Sequence, residues 1–278
     1  MRAASLSATA PSSWQLRFPS INAASLEWPQ LFTASANRFQ KYERNPSKYW
    51  SDFYKRHKNK FFKDRHYLKK QWSSYFTIDD TSNEKRKVVL EVGCGAGNTI
   101  FPLVATFPNL FVHACDFSPQ AVALVQAHEN YRADQVNAFV CDVTADDLRN
   151  NISPSSIDVV TLIFALSSVS PGQMTFALKN IKRVLKPNGF VLLRDYAIGD
   201  FAQVMLSSKN QMISKNFYVR GDGTCVFYFS EASLLNLFKN VGFGAVEVGI
   251  CSKQIENRSK KVLMDRRWIQ AEFCNLFD

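Results

Sequence analysis

An apolar run that ends in three alternate glycines is the stretch of this chain best suited to hold a ligand. In the string KVVLEVGCGAGNTI the run ends at Val92 and leads to Gly93, Gly95 and Gly97. Because glycine has no Cβ, the backbone can turn sharply here and present its N–H groups to a ligand at the start of the next helix. The pattern predicts a strand, a turn and a helix that bind a nucleotide-type molecule, with a plain structural turn as the alternative.

The spacing of the glycines distinguishes two kinds of ligand. The dinucleotide fingerprint G-x-G-x-x-G needs glycine at position 98, where this chain has Asn98. Glu91 stands two residues before the first glycine, and the resulting E-x-G-x-G-x-G resembles the first motif of class I S-adenosylmethionine-dependent methyltransferases. That resemblance implies a cofactor whose amino-acid end lies along the turn.

Carboxylates follow the next two predicted strands. Asp116 ends LFVHACD about twenty residues after the glycines, where an acid can accept hydrogen bonds from both hydroxyls of a ribose. Asp142 ends NAFVCD, where its carboxylate or the amide of Val143 can recognise an adenine edge. Since ligands of doubly wound sheets bind outside the carboxyl ends of the strands, we expect these groups to share one edge.

Alternating strands and helices predict the sheet that brings these groups together, a doubly wound and mostly parallel one. Ser118 and Pro119 are suited to begin a helix as N-cap and first-turn residue. The nearly unbroken apolar run from position 156 is typical of a central strand covered on both faces. Further predicted elements are a helix at 171–186, a strand at 190–197, a hairpin at 216–230, a helix at 231–243 and closing strands at 245–252 and 261–273.

Positive charge is concentrated in one N-terminal segment. The chain has a formal net charge of +10, and positions 38–70 hold twelve Lys or Arg against three acids. This concentration favours a polyanion as partner, with a solvated basic face as the alternative. Trp50 and Tyr54 lie four residues apart on one predicted helical face within it. They can close over a cofactor or a base, or staple the segment to the main domain.

Length and composition favour a single core with an N-terminal appendage. The chain has 278 residues, 46% of them apolar, and no stretch approaches the roughly 18 apolar residues of a membrane span. We therefore predict an extension (1–45), a basic aromatic segment (46–80) and a main domain (81–278). Six cysteines without a C-x-x-C pair favour a reducing compartment, and four histidines without a ligand motif predict no metal site.

From about Tyr49 onward the chain resembles the methyltransferase-like family that forms 3-methylcytidine in tRNA anticodon loops. The strings that carry the resemblance are YWSDFYKRH, FFKDRHYL, LEVGCGAGNTIFPL, CDFSP, LIFALSSVSP, LLRDYA, NFYVRGDGT and RRWIQAEF. FFKDRH and NFYVRGDGT are specific to this group, whereas GCGAG alone indicates only a class I enzyme. The resemblance implies a Rossmann-like, seven-stranded α/β fold with a final antiparallel pair, S-adenosylmethionine as cofactor and tRNA as substrate.

The resemblance also assigns site residues. The implied cofactor contacts are Trp50, Tyr54, Gly93, Gly95, Asp116, Asp142, Val143 and Ile163, and the implied tRNA contacts are Phe61, Lys63, Arg65, His66, Arg194, Tyr196 and Arg220. Cytosine N3 has an in-plane lone pair and needs no general base, so catalysis would consist of alignment and of stabilising the ring cation. Asp195 is the candidate for the second task, with a salt bridge to Arg194 as the alternative.

Three positions depart from the usual pattern of this family. Ala197, Met205 and Cys225 stand where the family has glycine, arginine and arginine. The loss of two cations on the RNA side bears on RNA affinity and substrate choice, and it leaves the cofactor half unchanged. Two alternatives therefore stay open, a methyltransferase of a small molecule or protein and a subunit that binds cofactor and RNA without catalysis. An NAD-dependent oxidoreductase is a more remote one.

The expected partner is tRNA, and an aminoacyl-tRNA synthetase or another anticodon-binding protein is a further candidate. We expect a cytoplasmic protein. The extension is rich in Ala and Ser, carries Arg2 and Arg17, and has no acid before Glu27. That composition resembles a transit peptide for mitochondria or plastids, with simple disorder as the other reading.

Overall fold

A seven-stranded sheet is the centre of the protein in the computed structural model, which describes residues 41–78, 86–257 and 261–276. The strand order is β3-β2-β1-β4-β5-β10-β9. The strands are β1 (Lys87–Val92), β2 (Leu110–Asp116), β3 (Val136–Val140), β4 (Ile157–Ile163), β5 (Leu185–Tyr196), β6 (Met212–Ser214), β7 (Phe217–Val219), β8 (Cys225–Phe227), β9 (Phe243–Asn257) and β10 (Val262–Asn275). The first five strands are parallel and β10 is antiparallel to both of its neighbours, which confirms the predicted fold class.

Helices cover both faces of this sheet. They are α1 (Pro46–His57), α2 (Leu68–Gln71), α3 (Ser73–Phe76), α4 (Ile100–Thr106), α5 (Pro119–Gln126), α6 (Met174–Val184), α7 (Phe201–Ser208) and α8 (Glu231–Lys239). Ser118 caps α5 by accepting from the Ala121 N–H, as the sequence predicts, and Ser230 begins α8 with a capping box. None of the described helices is long and apolar enough to cross a bilayer.

The apolar strands lie between two large core clusters. One cluster contains Leu90 and Val160 with α6 and α8, and the other contains Val89 and Val159 with α4 and α5. Alternate residues of β1 and β4 thus enter opposite layers, which explains why both strands read as continuous apolar runs. Because β1 is packed on both faces, the position of its C-terminal end, and of the glycine turn that follows, is fixed.

Two element boundaries differ from the sequence prediction. The helix predicted to reach position 186 ends at Val184, because the next residue already pairs with β4. Strand β3 ends at Val140, two residues short of Asp142. The Asp142 N–H donates to the Asp146 carboxylate over 2.8 Å, so this residue begins a turn and does not continue the ladder.

The C-terminal third is also more extended than predicted. The expected hairpin at 216–230 forms β7 and β8, and β6 joins them in a separate three-stranded sheet. The closing strands are longer than expected: β10 pairs with β5 only from Trp268 to Cys274, whereas it pairs with β9 from Val262 onward. The outer half of this hairpin therefore continues past the sheet as two strands alone.

The basic aromatic segment is anchored in the main domain. Trp72 is fully buried, and its indole N–H donates to Glu272 of β10 over 2.7 Å. The Tyr75 hydroxyl donates to the other oxygen of the same carboxylate over 2.6 Å. Leu68 and Phe76 join the core cluster beside β1. Most of the predicted extension (1–45), and with it the question of localisation, lies outside the described residues.

Candidate active site

A cavity of about 310 Å³ lies at the carboxyl edge of the sheet, between α1 and the ends of β1, β2 and β4. It is lined by six of the eight predicted cofactor contacts, Trp50, Tyr54, Gly93, Asp116, Asp142 and Val143. The other two adjoin it: Gly95 lies within the glycine turn, and Ile163 directly precedes the lining residues Phe164 and Ala165. The structure thus brings the predicted cofactor residues to one place.

The glycine turn has the backbone that its sequence predicts. Gly93, Gly95 and Gly97 have φ angles of 70°, 54° and 89°, in the left-handed region that favours glycine. A Cβ added to Gly95 would lie 2.6 Å from the Tyr54 hydroxyl oxygen. The turn is therefore held closely against α1, and a side chain at position 95 would separate them.

Asp116 joins the turn to the start of α5. One of its carboxylate oxygens accepts the Gly95 N–H over 3.0 Å, and the other accepts the Ser118 N–H over 2.9 Å. Burial raises the pKa of Asp116 to about 6, against the opposing effect of these two hydrogen bonds. Asp116 thus faces the cavity as a buried acceptor whose charge is sensitive to its surroundings.

The helix α1 both lines the cavity and is fastened to the domain. The Trp50 and Tyr54 rings lie 6.0 Å apart and are nearly parallel. The Ser51 hydroxyl lies 2.9 Å from the Ser118 hydroxyl, and the Ser47 hydroxyl donates to the Phe117 carbonyl over 2.8 Å. The sequence left open whether this helix is attached to the main domain or covers a ligand. In the structure the same helix is attached to the main domain and lines the cavity.

The indole nitrogen of Trp50 is an unpaired donor beside the cavity. Its Nε1 atom is buried and has no acceptor among the residues that the structure describes. Leaving a buried donor unpaired is costly, by about 1–3 kcal/mol, so such atoms usually meet a ligand or water. Trp50 thus combines a place in the cavity lining with a donor that has no partner among the described residues.

One wall of the cavity continues into a row of aromatic and guanidinium groups, here called the Phe164 row and made of Arg65, Phe164, Tyr196 and Arg220. The Arg65 guanidinium lies 5.1 Å from the Phe164 ring centre, and the Phe164 and Tyr196 rings are 4.9 Å apart. The Arg220 guanidinium lies 5.5 Å from the Tyr196 ring centre. Three of these residues are predicted RNA contacts, and planar groups at this spacing can stack on a base.

Phe164 is the member of this row that sequence reasoning missed. It adopts a φ of 57°, a conformation that is uncommon for any residue with a Cβ and typical of functional positions. Its N–H donates to the Arg194 carbonyl over 2.8 Å, which fixes the turn. The available signal was its place directly after the apolar strand β4. The lining residue Phe217 gave no such signal, because it comes from the small second sheet. Cys225 comes from the same sheet and also lines the cavity, so this departure from the family pattern is not confined to the RNA side as expected.

The four other predicted RNA contacts lie apart from the cavity. Phe61 is exposed and packs on Phe53 in an aromatic cluster of the basic segment. Lys63 and His66 line a separate groove on the other side of the glycine turn. Arg194 is engaged elsewhere, since its guanidinium donates to Gln71 and Gln270 and lies over the rings of Tyr67 and Trp268.

Asp195 is fully buried and is not among the residues that line the cavity. Its carboxylate accepts the N–H groups of Ser167 and Tyr196, each over 2.9 Å. Burial raises its pKa to about 6, although these hydrogen bonds act in the opposite direction. In the described part of the chain it forms no ion pair with Arg194. Its catalytic role therefore stays a prediction, and its visible task is to hold the turn that follows Phe164.

The fold and the cavity together define a class I S-adenosylmethionine-dependent methyltransferase. A methyltransferase-domain family model matches residues 90–191. A solved S-adenosylmethionine-dependent methyltransferase from Anabaena variabilis, 13% identical, aligns with a TM-score of 0.60 over 82% of this chain and 94% of its own. One from Methanosarcina mazei, 17% identical, aligns with a TM-score of 0.56 over 70% and 95%. At such identities these similarities show the fold alone.

Curated relatives show the family. The chain is 39% identical to the tRNA N(3)-cytidine methyltransferase METTL6 of Mus musculus, over 86% of this chain and 84% of that protein. It is 38% identical to the tRNA N(3)-methylcytidine methyltransferase trm141 of Schizosaccharomyces pombe, over 85% and 95%. The chain belongs to the family of tRNA N(3)-cytidine methyltransferases, which confirms the resemblance seen in its sequence motifs.

Proposed function

We propose that this protein transfers a methyl group from S-adenosylmethionine to N3 of a cytidine in tRNA. The observation that carries the proposal is the shared wall of the cofactor cavity and the Phe164 row. A base stacked along this row would lie next to the cavity, with guanidinium groups on either side. Membership of the family supports this substrate.

The residues of the cavity fit S-adenosylmethionine. Trp50 Nε1 is an unpaired buried donor, Asp116 is a buried acceptor, and Gly93, which lines the cavity, has no Cβ to fill it. In the proposed arrangement Asp116 accepts from the ribose, Asp142 and Val143 face the adenine, and Gly93 lies along the amino-acid end. When bound, the cofactor supplies an electrophilic methyl group on a sulfonium.

The chain itself has three tasks in this reaction. The Phe164 and Tyr196 rings hold the base so that its N3 lone pair points into the cavity. The bimolecular reaction of base and cofactor then becomes a reaction between two groups held in a fixed geometry. The faces of these rings also favour the positive charge that develops on the cytosine. Asp195 adds a buried negative charge nearby at neutral pH, because its pKa of about 6 lies below 7. No residue needs to remove a proton.

The target nucleotide must be unpaired. N3 lies on the Watson–Crick edge, so a paired cytidine cannot present it, whereas a loop nucleotide can be splayed out and stacked on aromatic side chains. This requirement supports an anticodon-loop cytidine as the target. The basic segment would then hold the phosphates on either side of the loop, and a synthetase or another anticodon-binding protein is a further proposed partner.

Incubation with isotopically labelled S-adenosylmethionine and total tRNA, followed by digestion to nucleosides, tests the proposal. The expected product is labelled 3-methylcytidine. Label in a different nucleoside, in protein or in a small molecule would identify another methyltransferase. Binding of cofactor and tRNA without any labelled product would identify a non-catalytic subunit, in keeping with Met205 and Cys225 at positions where the family has arginine.

A further inference from the structure

A groove of about 500 Å³ lies on the opposite side of the glycine turn from the cofactor cavity. Gly93 faces the cavity, whereas Gly97 lines the groove, and no residue lines both. The other groove residues used here are Lys63, His66, Phe101 and His128. Lys63 and His66 come from the basic segment, while His128 follows α5, so the groove joins elements that are distant in sequence.

The tautomer of His128 is fixed by a backbone contact. Its Nδ1 atom accepts the Asn130 N–H over 3.1 Å, so the proton of the neutral ring is on Nε2. The ring stacks on Phe101 with centres 3.6 Å apart and planes within 12°. His128 therefore contributes a held Nε2–H donor and a flat surface of the kind on which a base stacks.

The segment that forms one side of the groove is predominantly positive, while the groove lining itself holds one lysine, Lys63, and one acid, Asp64. Positions 55–70 hold eight Lys or Arg and a single acid, Asp64. The Asp64 carboxylate accepts from the Asn98 side-chain amide over 2.9 Å, so it is already engaged. The Lys63 and His66 side chains are exposed, and neither has an ion pair in the described part of the chain. Lys63 is thus available to an anionic ligand.

The distance between the groove and the cofactor cavity is only a few nucleotides of a single strand. Four Cα steps separate Gly93 from Gly97, which sets an upper limit of about 14 Å between them. A stacked strand rises about 3.4 Å per nucleotide, so this distance corresponds to at most about four nucleotides. A single strand with one nucleotide in the cavity can place a neighbour in the groove.

We propose that this groove binds a single-stranded RNA nucleotide that flanks the target cytidine. Lys63 contacts its phosphate, the His128 Nε2–H donates to an oxygen of the same nucleotide, and the Phe101–His128 pair offers a stacking surface. This inference rests on the proposed function, and it adds His128 to the RNA contacts.

Two variants and one control test the groove. Lys63→Gln removes the cation, and His128→Phe keeps the ring stacked on Phe101 while it removes the donor. Lys239→Gln changes an exposed cation at the end of α8, outside the groove. For each protein, tRNA affinity is measured by fluorescence anisotropy over a salt series, cofactor affinity by calorimetry, and formation of 3-methylcytidine at varied tRNA concentration.

We expect Lys63→Gln to weaken tRNA binding and to lower the slope of log affinity against log salt by about one. His128→Phe should weaken binding about two- to tenfold without a change of slope, because a neutral hydrogen bond is lost. Both should raise the KM for tRNA and leave kcat and cofactor affinity within about twofold.

Wild-type tRNA affinity and slope in both variants, with the wild-type protein active, would overturn the groove alone. Loss of cofactor affinity in both variants would also overturn it, since the groove would then belong to the cofactor site. If the wild-type protein binds tRNA but forms no 3-methylcytidine, the proposed function fails, while a reduced slope in Lys63→Gln would still support an RNA site.

Discussion

Replacing Asp116 by asparagine tests the cofactor site most directly. Each carboxylate oxygen of Asp116 accepts one backbone N–H, from Gly95 and from Ser118. Asparagine keeps one of these acceptors and turns an amide nitrogen toward the other donor. One buried N–H is then unpaired, which should lower the free energy of unfolding by about 1–3 kcal/mol.

The effect on cofactor affinity has a separate origin. Hydrogen bonds to an ionised acceptor contribute about 1.5–3 kcal/mol and neutral ones about 0.5–1.5 kcal/mol. Exchanging a carboxylate for an amide opposite two ribose hydroxyls should therefore cost about 1–3 kcal/mol of binding free energy. S-adenosylmethionine should bind roughly five- to 150-fold more weakly by isothermal titration calorimetry.

Asp200 offers a matched control. It is also fully buried, and its two oxygens accept backbone N–H groups from Ala202 and Arg267 over 2.8 Å each, away from the cavity. One of these oxygens also accepts from the Arg266 guanidinium over 2.8 Å. Asp200→Asn should therefore destabilise the fold by at least as much as Asp116→Asn and leave cofactor affinity unchanged. Equal cofactor affinities in the two variants would refute the role assigned to Asp116.

The pH dependence of binding gives an independent check. The ionised carboxylate is the stronger acceptor, and the pKa of Asp116 is raised to about 6 by burial. Cofactor affinity should therefore fall as the pH is lowered through about 6, and Asp116→Asn should remove that component. A wild-type profile that is flat between about pH 5 and pH 8 would mean that Asp116 does not contact the ligand.

Three further substitutions address other parts of the site. Trp50→Phe should weaken S-adenosylmethionine about two- to tenfold by calorimetry, because the substitution removes the unpaired indole N–H while an aromatic ring stays against Phe53 and Tyr54. Phe164→Leu should lower kcat/KM for tRNA at least about fivefold in a methylation assay, since stacking contributes about 1–3 kcal/mol per base. Burial raises the pKa of Glu91 to about 8, so the stability that its protonated form contributes is fully present below pH 4.5 and is lost as the pH rises through 8. In urea unfolding, Glu91→Gln should gain stability relative to wild type between about pH 5 and pH 8, by a few kcal/mol.

The parts of the site that the sequence predicted correctly are those fixed by strand ends. Asp116 terminates β2 as expected, because the apolar pattern of LFVHACD defines where the buried strand stops. Asp142 also reaches the cavity, although β3 ends earlier. In each case a local pattern and the topology of a parallel sheet are sufficient.

The parts that the sequence did not predict depend on backbone angles and long-range packing. No sequence pattern predicts that Phe164 adopts a positive φ. That angle accompanies the hydrogen bond from its N–H to the Arg194 carbonyl, which is distant in sequence. Nothing local places His128 in one groove with Lys63. Nor does a local pattern indicate that the buried Asp195 accepts the N–H of Ser167, a residue of the loop after β4.

The hydrogen bonds of Trp72 and Tyr75 to Glu272 can form only late in folding. These partners are 200 and 197 residues apart in sequence. At about 5–20 residues per second, ribosomal synthesis of the intervening chain takes on the order of 10–40 s. During that time the two aromatic side chains lack their acceptor, and contacts of such separation slow folding because a long loop must first be closed. The basic segment, whose helix α1 lines the cavity, is thus attached to the main domain only after β10 has been synthesised.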